Sequence, residues 1–119
     1  MRRRAATLVL SVLLCLALLG GCARQPQLTV VNQSSAPLAN LVVSGSGFSV
    51  RFGTLAPGER MSRGVSPAGD SSLRFEFDAG GRRYSAAPDC YFESSPLYRV
   101  TATIGPDFTV EVDVRIEKY

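Results

Sequence analysis

The chain has 119 residues, 13 Lys and Arg against 10 Asp and Glu, and no histidine. The missing histidine excludes Ser-His-Asp and Cys-His catalytic arrangements and the common mixed zinc sites. Three of the basic residues, Arg2, Arg3 and Arg4, stand together at the N-terminus, so the net charge of +3 belongs to that end and the rest of the chain is balanced. A chain neutral over its remaining length carries no electrostatic footprint for a nucleic acid, and no such partner is expected.

The cationic head Met1-Arg2-Arg3-Arg4 leads into an apolar run from Ala5 to Leu19, broken only by Thr7 and Ser11. A charged head before an apolar stretch of about 15 residues has the layout of a secretory signal, and is short for a membrane span, which needs about 20. Leu19-Gly20-Gly21-Cys22 closes the run. These four residues resemble the lipobox of bacterial lipoproteins, in which a leucine and two small residues precede a cysteine. The resemblance implies cleavage by signal peptidase II before Cys22, with Leu19, Gly20 and Gly21 as the recognition residues. It also implies a covalent lipid on the Cys22 thiol and no other cofactor. Two or three acyl chains give a stable anchor, at about 0.8 kcal/mol per buried methylene. Ala23, not aspartate, follows the cysteine, which for a lipoprotein of enteric type favours the outer membrane, facing the periplasm.

The expected organisation is a signal peptide over residues 1–21, a lipidated cysteine and tether over 22–26, and one domain over 27–119. Removing the signal leaves 98 residues, enough for one modest core. Cys15 leaves with the signal and Cys22 carries the lipid, so Cys90 is the one thiol left to the domain. A disulfide within the domain is therefore not expected. Residues Ala23 to Pro26 span roughly 14 Å when extended, at about 3.5 Å per residue, which would hold the domain close to its membrane.

The first strand begins at Leu28 and Val30. Leu38 to Val43 is more continuously apolar, as in a central strand, with a blurred period. Phe48, Val50 and Phe52 alternate with polar residues, and so do Leu73, Phe75 and Phe77. Tyr98, Val100, Ala102 and Ile104 form another such series, followed by Phe108, Val110, Val112, Val114 and Ile116. Period-two alternation marks strands with one buried face. Ala56-Pro57-Gly58-Glu59 has the Pro-Gly centre of a type II turn. Asp78-Ala79-Gly80-Gly81 is a second turn, and Gly105-Pro106-Asp107 reads as a tight hairpin. The expectation is all-β: a single antiparallel β-sandwich of seven to nine short strands, immunoglobulin-like in general architecture, behind the N-terminal signal helix. A small barrel is the alternative.

Two carboxylate pairs, Glu76/Asp78 and Glu111/Asp113, each project from one face of a strand. Arg74 and Arg115 share those faces, so mixed-charge solvated surfaces are expected there. Asp89-Cys90-Tyr91-Phe92-Glu93 groups a thiol with two aromatics between Pro88 and Pro96. It reads either as a binding loop, with Tyr91 and Phe92 as contacts, or as a short strand with Cys90 as a small buried hydrophobe. Arg82 and Arg83 beside the Gly80-Gly81 turn are further candidate contacts for an acidic partner or lipid headgroups. With no catalytic set, the domain resembles, in broad outline, small envelope lipoproteins of Gram-negative bacteria. The expected role is a non-enzymatic, membrane-anchored module that binds another envelope protein or supports an assembly; binding of a small ligand or glycan is the alternative.

Overall fold

A computed structural model describes residues 25–117. The signal segment, with Leu19, Gly20, Gly21 and Cys22, lies outside the described residues. Eight strands form two four-stranded sheets. One carries β1 (Gln27–Asn32), β4 (Arg60–Gly64), β7 (Tyr98–Ile104) and β8 (Val110–Ile116) in the order β4-β1-β7-β8. The other carries β2 (Leu38–Gly45), β3 (Phe48–Leu55), β5 (Arg74–Ala79) and β6 (Arg82–Ala86) in the order β3-β2-β5-β6. The fold is a β-sandwich, as the alternation predicts.

The pairing departs from an antiparallel sandwich in one place: β1 and β7 run parallel, with Leu28 opposite Val100 and Val30 opposite Ala102. Parallel neighbours need a long connection, and here most of the domain lies between the two strands. Alternation records which face is buried but not strand direction, so this pair is not readable from the pattern.

The inward residues of both sheets meet in one core. Leu28 and Val30 of β1, Leu38, Leu41 and Val43 of β2, Phe75 and Phe77 of β5, and Val100, Ala102 and Ile104 of β7 are buried. The four central strands thus supply most of it. The blurred period of Leu38–Val43 has a structural cause. Leu38 pairs with Leu55 and Leu41 with Gly53, so β2 advances three residues while β3 advances two. The same extra residue appears against β5, between the Ala39–Asp78 and Val42–Glu76 pairs. This is a β-bulge, and it lets Leu38 and Leu41 both face inward. Asn40 takes φ 51° and Gly53 φ 72° at this point, a left-handed conformation that glycine, and next asparagine, adopt most readily.

Turn chemistry sets the hairpins. Gly80 and Gly81 both have positive φ, 56° and 77°, as a two-residue type I′ turn between β5 and β6 requires. The β7–β8 hairpin is wider than Gly105-Pro106-Asp107 suggests. Phe108 N donates to Gly105 O and Gly105 N to Thr109 O, both at 3.0 Å, a turn followed by a one-residue bulge at Phe108. That residue sits at φ 62°, where glycine is the usual occupant. Its ring packs on Tyr84, 4.8 Å between centroids, and Tyr84 stacks on Phe77 at 5.3 Å. Aromatic packing offsets backbone strain here.

Candidate functional site

Strand direction defines two ends. The chain reaches β1 beside Gly64–Ser66: Pro26 is buried, its carbonyl accepts from Val65 N at 3.0 Å, and Gln25 Nε2 donates to Ser66 Oγ. This near end also carries the β2–β3 hairpin, the 65–73 and 87–97 loops and the end of β8. The far end carries the loop after β1, the turn at Pro57-Gly58, and the β5–β6 and β7–β8 hairpins.

The 87–97 loop closes the near end. Phe92 is fully buried and exchanges backbone hydrogen bonds with Ser71, at 2.9 and 3.2 Å. Its ring lies 6.3 Å from that of Phe48 and 6.4 Å from that of Tyr98. Phe92 is therefore a core residue joining the two sheets, and the expectation that it contacts a ligand or partner is corrected. Alternation forces the opposite outcome on its neighbour: Tyr91 is 53% exposed. Its hydroxyl donates to Glu93 Oε1 at 2.5 Å, with Asp70 Oδ1 at 3.2 Å. The Glu93 hydrogen bond, with some desolvation and the Asp70 charge, raises the phenol well above its ordinary pKa. Cys90 is half-buried and packs against the core. Desolvation raises its thiol pKa, which suppresses the nucleophilic thiolate.

Arg82 and Arg83 lie at the far end, separated from Tyr91 by the length of β5, roughly 20 Å for a six-residue strand. The four candidate contacts do not converge. Arg83 is engaged within the domain: it bridges Glu76 Oε2 and Asp78 Oδ1, both at 3.2 Å. Asn40 Nδ2 also donates to Asp78, at 2.9 Å. That bond first, and Arg83 second, lower the Asp78 pKa; the Asp78 hydrogen bond in turn raises that of Arg83. Arg74 adds a pair with Glu76 at 3.6 Å. Such exposed pairs contribute little to stability. They form the mixed-charge outer surface expected for this sheet. Glu111 and Asp113 project from the outer face of the other sheet, so the core separates the two carboxylate pairs. A shallow depression of ≈ 330 Å³ lies over the β2 bulge between Arg51 and Arg83.

Two features escape a reading of the sequence. Asn32 follows Leu28 and Val30 on the inward face of β1 and is completely buried. Its amide is fully used: Nδ2 donates to Ala36 O and Leu55 O, each at 2.9 Å. Oδ1 accepts from Ser34 N at 2.9 Å and Ser34 Oγ at 2.6 Å. A polar residue in an apolar phase is the available signal. The other is β8, whose place at a sheet edge depends on strand order.

The fold defines a class only, the two-sheet β-sandwich. It is similar to the NMR structure of a protein from Eubacterium rectale, with a TM-score of 0.55 and 13% identity over 82% of this chain and 95% of that one. That likeness concerns the fold alone. No family model and no curated protein matches the sequence.

Proposed function

We propose that the chain is a lipid-anchored protein of the bacterial envelope whose β-sandwich is a non-catalytic interaction or assembly module. The observation that carries this reading is the position of the lipobox-like Leu19-Gly20-Gly21-Cys22. It stands three residues ahead of Gln25, which already bonds to the domain. Three Cα steps reach roughly 10 Å, shorter than the tether the sequence alone suggests. A lipid on Cys22 would hold the near end, with Tyr91, at the membrane surface and turn the far end away. Arg82 and Arg83 would then face a partner or solvent, not headgroups. The location that fits Ala23 is the outer membrane, periplasmic side.

Mass spectrometry of the protein from its host should find Cys22 as a lipid-modified N-terminus, in the outer-membrane fraction of a density gradient. Cys22→Ser should release the domain from membranes. An intact Met1 terminus would overturn the reading.

A further inference from the structure

The sandwich has four edge strands, and three carry features that discourage pairing with another chain. β3 is bulged at Gly53. β4 and β6 have five residues each and two arginines apiece, and Pro88 follows β6. β8 differs: seven residues without Gly, Pro or bulge, in continuous register with β7 from Ile104–Val110 to Tyr98–Ile116. Its inward residues Val110, Val112 and Val114 are only half-buried, and Ile116 is 55% exposed.

The hydrogen bonds show which backbone groups are free. Thr109 and Glu117 bond to the β7 side, through Gly105 N→Thr109 O and Glu117 N→Leu97 O. In an antiparallel ladder this orientation alternates. The odd-numbered residues of β8 therefore face β7, while the N–H and C=O groups of Val110, Val112, Val114 and Ile116 point off the sheet. The outward side chains add a charge pattern. Glu111 and Asp113 stand opposite Thr103 and Thr101, so no base on β7 neutralises them. Among the described residues Asp113 is met only by Arg115, at 2.8 Å, and further along Glu117 pairs with Arg99 at 3.2 Å.

We infer that β8 is a docking edge for an extended segment of another protein, which adds as a fifth strand with apolar residues alternating with basic ones. Its backbone completes the ladder, its apolar side chains cover Val112, Val114 and Ile116, and its bases meet Glu111 and Asp113. A second copy of this chain fits less well on the anchored reading above, on which this choice rests. Antiparallel self-pairing would place the two near ends at opposite ends of the joined strands. Tethers of roughly 10 Å could not then reach one membrane.

The probe is a fluorescein-labelled nine-residue peptide alternating Val and Lys, titrated by anisotropy into the full processed protein in detergent. Binding should be saturable and weaken at least tenfold for a peptide of the same composition with its valines and lysines in separate blocks. Val114→Pro, which removes an N–H that points off the sheet and spares the β7 ladder, should cause a similar loss. The double variant Glu111→Lys/Asp113→Lys leaves the backbone intact, should lose the Val/Lys peptide and should gain one alternating Val and Glu. Equal binding of alternating and blocked peptides, or of wild type and the double variant, would overturn the docking edge. In cells, benzoylphenylalanine at Ile116 should give an adduct to a different protein; an adduct of two copies of this chain would overturn the choice of partner. Cys22→Ser should still bind the peptide, so failure of the anchor and failure of the edge are separable.

Discussion

The two ends of the sandwich are closed by opposite chemistry. At the far end a buried amide, Asn32, holds the β3 terminus and the 33–37 loop through directed hydrogen bonds. At the near end a buried ring, Phe92, fills the space between the sheets and asks little of direction. A polar staple fixes one geometry and fails if any partner is lost, whereas an apolar plug tolerates small shifts but leaves a cavity when removed. The far end is thereby specified in detail, and the near end can vary its outer residues, such as Tyr91, around a fixed inner one.

The largest predicted effect separates the two directly. Phe92→Ala should destabilise the domain by about 3–5 kcal/mol, the usual range for deleting a buried aromatic, as measured by urea unfolding. Phe92→Leu should recover most of that, since a plug needs volume above all. Asn32→Ala should cost about 2–4 kcal/mol by leaving the Leu55 carbonyl and the Ser34 N–H without the amide that meets them, while the Ala36 carbonyl keeps the Ser34 hydroxyl. Asn32→Leu should not recover it. Equal rescue by leucine at both positions would erase the distinction between the ends.

Smaller effects sharpen it. At the far end, Phe108→Ala removes the ring and keeps the left-handed backbone, while Phe108→Gly removes both ring and strain. The glycine variant should be the more stable of the two by about 1 kcal/mol, read from paired thermal melts. At the near end, Tyr91→Phe should lower the Tm slightly at neutral pH, by losing the exposed hydrogen bond to Glu93. The difference should close in alkaline solution. The folded-state phenol pKa is raised, so its contribution is fully present below the unfolded value, about 10. It declines as pH rises from there through the folded-state pKa. The wild type should thus lose more stability than Tyr91→Phe above pH 10, and one tyrosine should be late in an ultraviolet titration.

Six of the eight strands are legible in the sequence, β2 by its nearly continuous apolar run and the other five by apolar alternation. β4, with Arg60, Met61, Ser62, Arg63 and Gly64, and β6, with Arg82, Arg83, Tyr84, Ser85 and Ala86, do not show it. Both are edges that bury few side chains, so neither needs more than one or two apolar residues. The bulge at Asn40 is visible as a lost period but not as its cause. In the 89–93 segment the residues alone leave open which aromatic turns inward, and the Ser71–Phe92 bridge decides it. Recognition of β8 as a free edge needs the strand order, which follows from the packing of all eight strands at once.

One consequence of the topology is mechanical. β1 is the first strand of the domain and an interior strand of its sheet, bonded along its length to β4 on one side and β7 on the other. A load applied at Gln25 runs along the β1 axis, nearly at right angles to those bonds. They must be sheared together and cannot break in succession, as they would at a peeling edge. If the far end or β8 holds a partner while the near end is held at a surface, tension between the two is carried by a strand bonded on both sides, and the loops at the near end bear little of it.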